Sequence, residues 1–132
     1  MSEDQPLVVD IESRNNLYTT ISASDLVIIG AFHKLSSFDS PWIELLYKAA
    51  EELADMARQT GFIFARCWAA DDDPGYILWE MANLTGTPSF ILFKNGEVKD
   101  SFNVGLYEAS EVKYRFFSWI LEAAVEKETQ SK

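Results

Sequence analysis

Apolar residues along this chain change period from segment to segment, and those changes mark out the elements. Val8-Val9-Asp10-Ile11 is a short strand-like segment. Leu26 to Phe32 (LVIIGAF) is an unbroken apolar run, the pattern of a central strand covered on both faces. Between them Ser13 is placed to cap a brief helix that reaches about Ser22. Apolar residues then recur at positions 43, 46, 47, 50, 53, 54 and 57, while Glu44, Lys48, Glu51, Glu52, Asp55 and Arg58 fill the other side. That spacing predicts one amphipathic helix, with Gly61 just past its end. Phe62 to Trp68 is a second buried strand, and Asp71-Asp72-Asp73-Pro74 opens the next helix. Carboxylates favour a helix N-terminus and proline favours its first turn, so the three aspartates are read as caps. Nothing near them completes a metal shell.

Residues Thr85 to Val98 read TGTPSFILFKNGEV. Pro88 cannot donate to a sheet ladder and is expected at a strand entrance. Phe90 to Phe93 form the strand, and the Asn95-Gly96 pair can take the φ > 0 conformations of a type I′ turn. The hairpin strands are predicted near 89–93 and 97–102. Asn103-Val104-Gly105 leads to a last helix capped by Ser110 and running to about Glu126, before a polar ETQSK tail. Val112, Phe116, Trp119, Ile120 and Ala123 make its inward stripe, which Phe117 and Leu121 widen, with Tyr114 off the centre. The predicted order is β-α-β-α-β-α-β-β-α: one α/β domain over residues 1–132, its core at about 7–124.

Composition narrows the function classes. With 48% apolar and 14% aromatic residues, 132 residues suffice for a proper core. The formal net charge of −10 repels phosphate backbones and anionic lipid, so neither nucleic acid nor a membrane surface is an expected partner. The start, MSEDQP, carries neither the basic nor the apolar region of a signal peptide. With Cys67 the sole cysteine, no intramolecular disulfide can form, and a reducing cytoplasmic or nuclear compartment is expected.

In this order, TGTPSFILFKNGEV closely resembles the cis-proline loop and final hairpin of the thioredoxin fold. VVDIES resembles the first thioredoxin strand and SDLVIIGAF the strand leading into the active site. Pro41 resembles the proline that kinks the following helix, and Val104-Gly105 the closing turn. The resemblance runs in register from about residue 7 to residue 124. It implies a mixed four- to five-stranded sheet with helices on both faces. The departures concern the chemistry. Aligning Pro41 puts Phe32 at the thioredoxin tryptophan and His33-Lys34-Leu35-Ser36 over Cys-x-x-Cys; a one-residue slip gives Lys34-Leu35-Ser36-Ser37. Neither register holds a cysteine. Thiol–disulfide exchange needs an attacking thiolate and a resolving thiol, so dithiol oxidoreductase activity is excluded. The position of the family's buried carboxylate falls at about Val27 and that of its nearby lysine at about Cys67.

What the resemblance leaves is recognition. In the family, the residue before the cis-proline offers its backbone N–H and C=O to an extended peptide. The expected function is therefore a redox-inactive protein- or peptide-binding module: an adaptor, chaperone-like factor or inhibitor, with no cofactor. Its site would comprise Phe32, His33, Lys34, Leu35, Ser36 and Ser37, with Trp42, Thr87 and Pro88. One alternative is a non-dithiol enzyme using His33 with Ser36 or Ser37. That needs an orienting carboxylate, and Asp39, the only one close in sequence, shows no evident reach back. Others are a glutathione-linked activity and a homodimer through the aromatic last helix. Ser36, Ser37, Asp39 and Ser40 also suit plain helix capping. Cys67 reads as a buried, inert thiol.

Overall fold

The computed structural model describes residues 7–33, 37–68 and 73–130. Lys34, Leu35, Ser36, Asp71 and Asp72, each given a role above, lie outside the described residues. Strands β1 (Val8–Ile11), β2 (Leu26–Phe32), β3 (Ile63–Trp68), β4 (Ser89–Lys94) and β5 (Glu97–Asn103) form one five-stranded sheet in the order β1-β3-β2-β4-β5. β3 runs parallel to both β1 and β2, β4 is antiparallel to β2, and β5 is antiparallel to β4. The unbroken apolar run of β2 is explained by this position, since every one of its residues is buried.

Helices cover both faces, as the resemblance implied. On one face α1 (Arg14–Ser22) and α4 (Asp73–Ala82) bring Leu17, Ile21, Leu78 and Ala82 onto Val27, Ile29, Ala65 and Cys67. On the other, α2 (Ser40–Glu52), α3 (Ala54–Thr60) and α5 (Ala109–Gln130) cover Ile28, Phe32, Phe64 and Phe90. This second face is aromatic: Phe90 lies 5.9 Å from Phe32 and 5.1 Å from Phe116, and Phe102 lies 5.2 Å from Trp119, centroid to centroid. Such spacings suit edge and tilted ring pairs, each worth about 0.5–1.5 kcal/mol beyond area burial.

Local signals held at several ends. Ser13 Oγ accepts the Asn16 N–H at 3.1 Å and caps α1. Asn95 and Gly96 adopt φ of 54° and 83°, giving the tight hairpin between β4 and β5. A bulge between Leu92 and Phe93 shifts the register of that hairpin, so Phe93 faces Val98 while Leu92 faces Asp100.

Three helical expectations are corrected. The single helix predicted across 43–57 is two, α2 and α3, broken at Leu53 (φ −109°, ψ 20°). No proline or glycine marks the break, and the apolar stripe continues across it, so periodicity alone cannot show it. Pro41 stands in the first turn of α2 and starts that helix instead of kinking it. The last helix begins at Ala109, so Ser110 is inside its first turn, and it extends to Gln130, beyond the expected Glu126. Of its apolar residues, the five named for the inward stripe are buried, whereas Phe117 and Leu121 are exposed and widen nothing.

Candidate peptide-binding site

The register of the sheet brings four strand ends together. Phe32, the last residue of β2, pairs with Trp68, the last of β3. Ala31 pairs with Ser89, the first residue of β4, and Ser89 pairs with Asn103, the last of β5. The carboxyl ends of the parallel strands therefore border the start of β4 and the end of β5. In open α/β sheets this is the end at which ligands bind.

The loop before β4 is built by hydrogen bonds. The Thr87–Pro88 bond is cis. Pro88 C=O accepts the Val104 N–H at 2.9 Å, which ties the proline to the short 3₁₀ turn Val104–Leu106. Asn103 clamps both sides: its Nδ2 reaches Thr85 Oγ1 at 3.3 Å and its Oδ1 accepts the Gly105 N–H at 2.8 Å. Gly86 makes this possible, because a Cβ there would lie 2.7 Å from Asn103 Nδ2. Ser89 Oγ donates to Gly86 C=O at 2.7 Å. Thr87, half-buried, precedes the paired part of β4, so its N–H and C=O lie outside both ladders.

The loop leading from β2 is anchored by Asp39. Its side chain is almost wholly buried, and Oδ2 accepts the backbone N–H of His33 at 2.6 Å. Asp39 precedes α2, where the positive helix end favours a carboxylate, yet it makes no side-chain bond to its own helix. Its carbonyl takes the Trp42 and Ile43 N–H groups, both at 3.0 Å. The expectation that Asp39 has no reach back to His33 is corrected: it reaches the His33 backbone. Capping by its side chain is corrected for the same reason.

The site residues expected from sequence fare differently. His33 and Ser37 are exposed at this end, Trp42 is half-buried against the aromatic core, and Pro88 is buried. Phe32 is fully buried against Phe90 and offers no surface to a partner. Two exposed apolar residues at this end were not among those expected from the sequence. Phe38 in the β2–α2 connection and Leu106 in the turn after β5 are 56% and 73% exposed. Their signal was an apolar residue inside a loop sequence otherwise fit for polar or turn residues. Val27 and Cys67 sit in the α1/α4 face of the core, fully or almost fully buried.

A second cluster lies at the edge formed by β1 and β3. The Arg66 guanidinium contacts Asp10 Oδ1 at 2.6 Å and stacks over the Trp68 ring at 4.4 Å and the Tyr47 ring at 5.7 Å. Burial pushes the Tyr47 phenol above its ordinary value, Arg66 opposes this, and the charge of Asp10 and its hydrogen bond push further up. The group joins β1, β3 and α2 beside the strand ends. Among the described residues no set of three or more His, Cys, Asp or Glu side chains could hold a metal ion, and no helix is long and apolar enough to cross a membrane.

Neither a protein-family model nor a curated protein sequence matches this chain. Solved structures do. The thioredoxin of Malassezia sympodialis, an allergen, is 14% identical with a TM-score of 0.68, over 89% of this chain and 90% of that one. A match over nearly the whole of both chains decides the architecture. This chain has the thioredoxin fold. Thioredoxin f of spinach chloroplast is 17% identical with a TM-score of 0.65, covering 88% of this chain and 85% of its own. The oxidised thioredoxin of Plasmodium falciparum is 21% identical with a TM-score of 0.60, covering 86% and 98%. On this thioredoxin fold a single cysteine leaves no Cys-x-x-Cys motif.

Proposed function

We propose that this thioredoxin-fold protein binds an extended segment of another polypeptide without dithiol chemistry. The observation that carries this reading is the Thr87–Pro88 loop: cis, clamped by Asn103, and with the Thr87 main chain outside the sheet ladders. Adding a strand there uses main-chain hydrogen bonds and needs no thiol. Exposed Phe38 and Leu106, with half-buried Trp42, supply apolar contacts for the side chains of the segment. His33 and Ser37 supply polar ones. An adaptor, chaperone-like or inhibitory role fits such a surface.

The test is recovery of bound proteins from a cell lysate under reducing conditions, comparing wild type with Leu106→Asp and Phe38→Asp. Both positions are exposed, so the fold should survive, as circular dichroism and melting would verify. Each charge is expected to cut recovery about tenfold or more, since burying an unpaired carboxylate is strongly unfavourable. Undiminished recovery from both folded variants would place the binding surface elsewhere.

A further inference from the structure

We propose that two copies of this chain pair antiparallel through the outer face of α5. This helix is apolar on two opposite sides. The inward stripe packs on the sheet, while Tyr114, Phe117, Leu121 and Val125 are all exposed, Tyr114 to 72% and Leu121 to 65%. Their steps of three, four and four residues put them in one row along the helix, on the side away from Val112, Phe116 and Ala123. Single exposed apolar side chains are ordinary; four aligned on one helix form a patch that water disfavours.

The row is complementary to itself. In an antiparallel pair centred near residue 119, Tyr114 meets the second copy's Val125 and Phe117 meets its Leu121. Ring then lies against aliphatic side chain at each step. The charges beside the row agree. Arg115 and Glu122 lie on the same flank, and antiparallel pairing brings each opposite the other twice by symmetry. Arg115 is held in place by Glu111 at 3.2 Å and by the Tyr107 ring at 4.3 Å, so little side-chain entropy remains to be lost there. The chain carries a net charge of −10, which disfavours self-contact in general. The described flanks of this row nevertheless bear both signs, Glu111 and Glu122 with Lys113 and Arg115. That local balance favours a second copy over a strongly basic partner. A row of one helix covers a few hundred Å², less than the roughly 800 Å² per partner of a standard interface. The pair is accordingly weak and concentration-dependent.

Sedimentation equilibrium on the full chain up to about 0.5 mM reaches the range where a Kd near 100 μM is visible. The wild type is expected to rise from monomer toward twice that mass. Leu121→Glu, at an exposed position and with an unchanged melting curve, is expected to remain monomeric throughout. Glu122→Arg is expected to weaken pairing about tenfold, because both flanking ion pairs become repulsive. In a parallel pair the two-fold axis puts the Arg115 and Glu122 flanks of the two copies on opposite sides of the contact, so neither ion pair could form and the reversal would change little. A monomeric wild type, a dimer indifferent to Leu121→Glu, or one indifferent to Glu122→Arg overturns the proposal.

Discussion

Asp39 is a carboxylate with almost no access to water, yet it is provided for: a helix start below it and the His33 N–H at 2.6 Å. Removing the carboxylate would break this partly buried bond, at about 1.5–3 kcal/mol for a hydrogen bond to a charged group. Asp39→Ala should therefore lower stability by about that amount in a urea titration, while Asp39→Asn, which keeps a carbonyl oxygen, should lose less. Equal losses would mean the hydrogen bond is not what the buried side chain contributes. The residue type showed that Asp39 suited a helix start. It could not show whether the side chain would bond its own helix or the preceding loop, because that depends on where the chain returns from β2. Phe32 has the same lesson in reverse. Its alignment with the tryptophan of the family located it beside the site, but alternation along β2 turns the ring into the core.

At the scale of elements, apolar runs located β1 to β4, the Asn95-Gly96 turn located β5, whose EVKDSFN has little apolar pattern of its own, and capping residues located most helix starts. What these signals missed, they missed for physical reasons. The break at Leu53 keeps both halves on the same apolar stripe and uses no glycine or proline. In α5 the five residues of the inward stripe were assigned correctly and Phe117 and Leu121 were not, since a helix can be apolar on two sides while resting on one. The two faces make unequal demands on stability. Phe116 is fully buried among Phe64 and Phe90, so Phe116→Ala should cost about 3–5 kcal/mol. Phe117 is exposed, and Phe117→Ala should cost under about 1 kcal/mol at concentrations where the chain is monomeric. Thermal melts of the two variants decide this, and similar losses would show that the inward face has been misassigned.

For the whole molecule, the order of strands and helices was readable because each element announces itself locally and the order of so many elements fits few folds. The location of the candidate site is drawn from topology, at the carboxyl ends of the parallel strands. The loss of dithiol chemistry follows from counting, since one cysteine cannot make a pair. Phe38 and Leu106 were legible only as apolar residues set in loop sequence, because loops have no period to reveal which apolar residues stay in water. The central claim is recognition that does not pass through a thiol. Partner recovery by Cys67→Ala, compared with wild type in the presence of reductant, tests it most directly, because Cys67 is buried in the α1/α4 face of the core. The same partners in the same yield are expected; loss of those partners by a folded Cys67→Ala chain would overturn thiol-independent recognition.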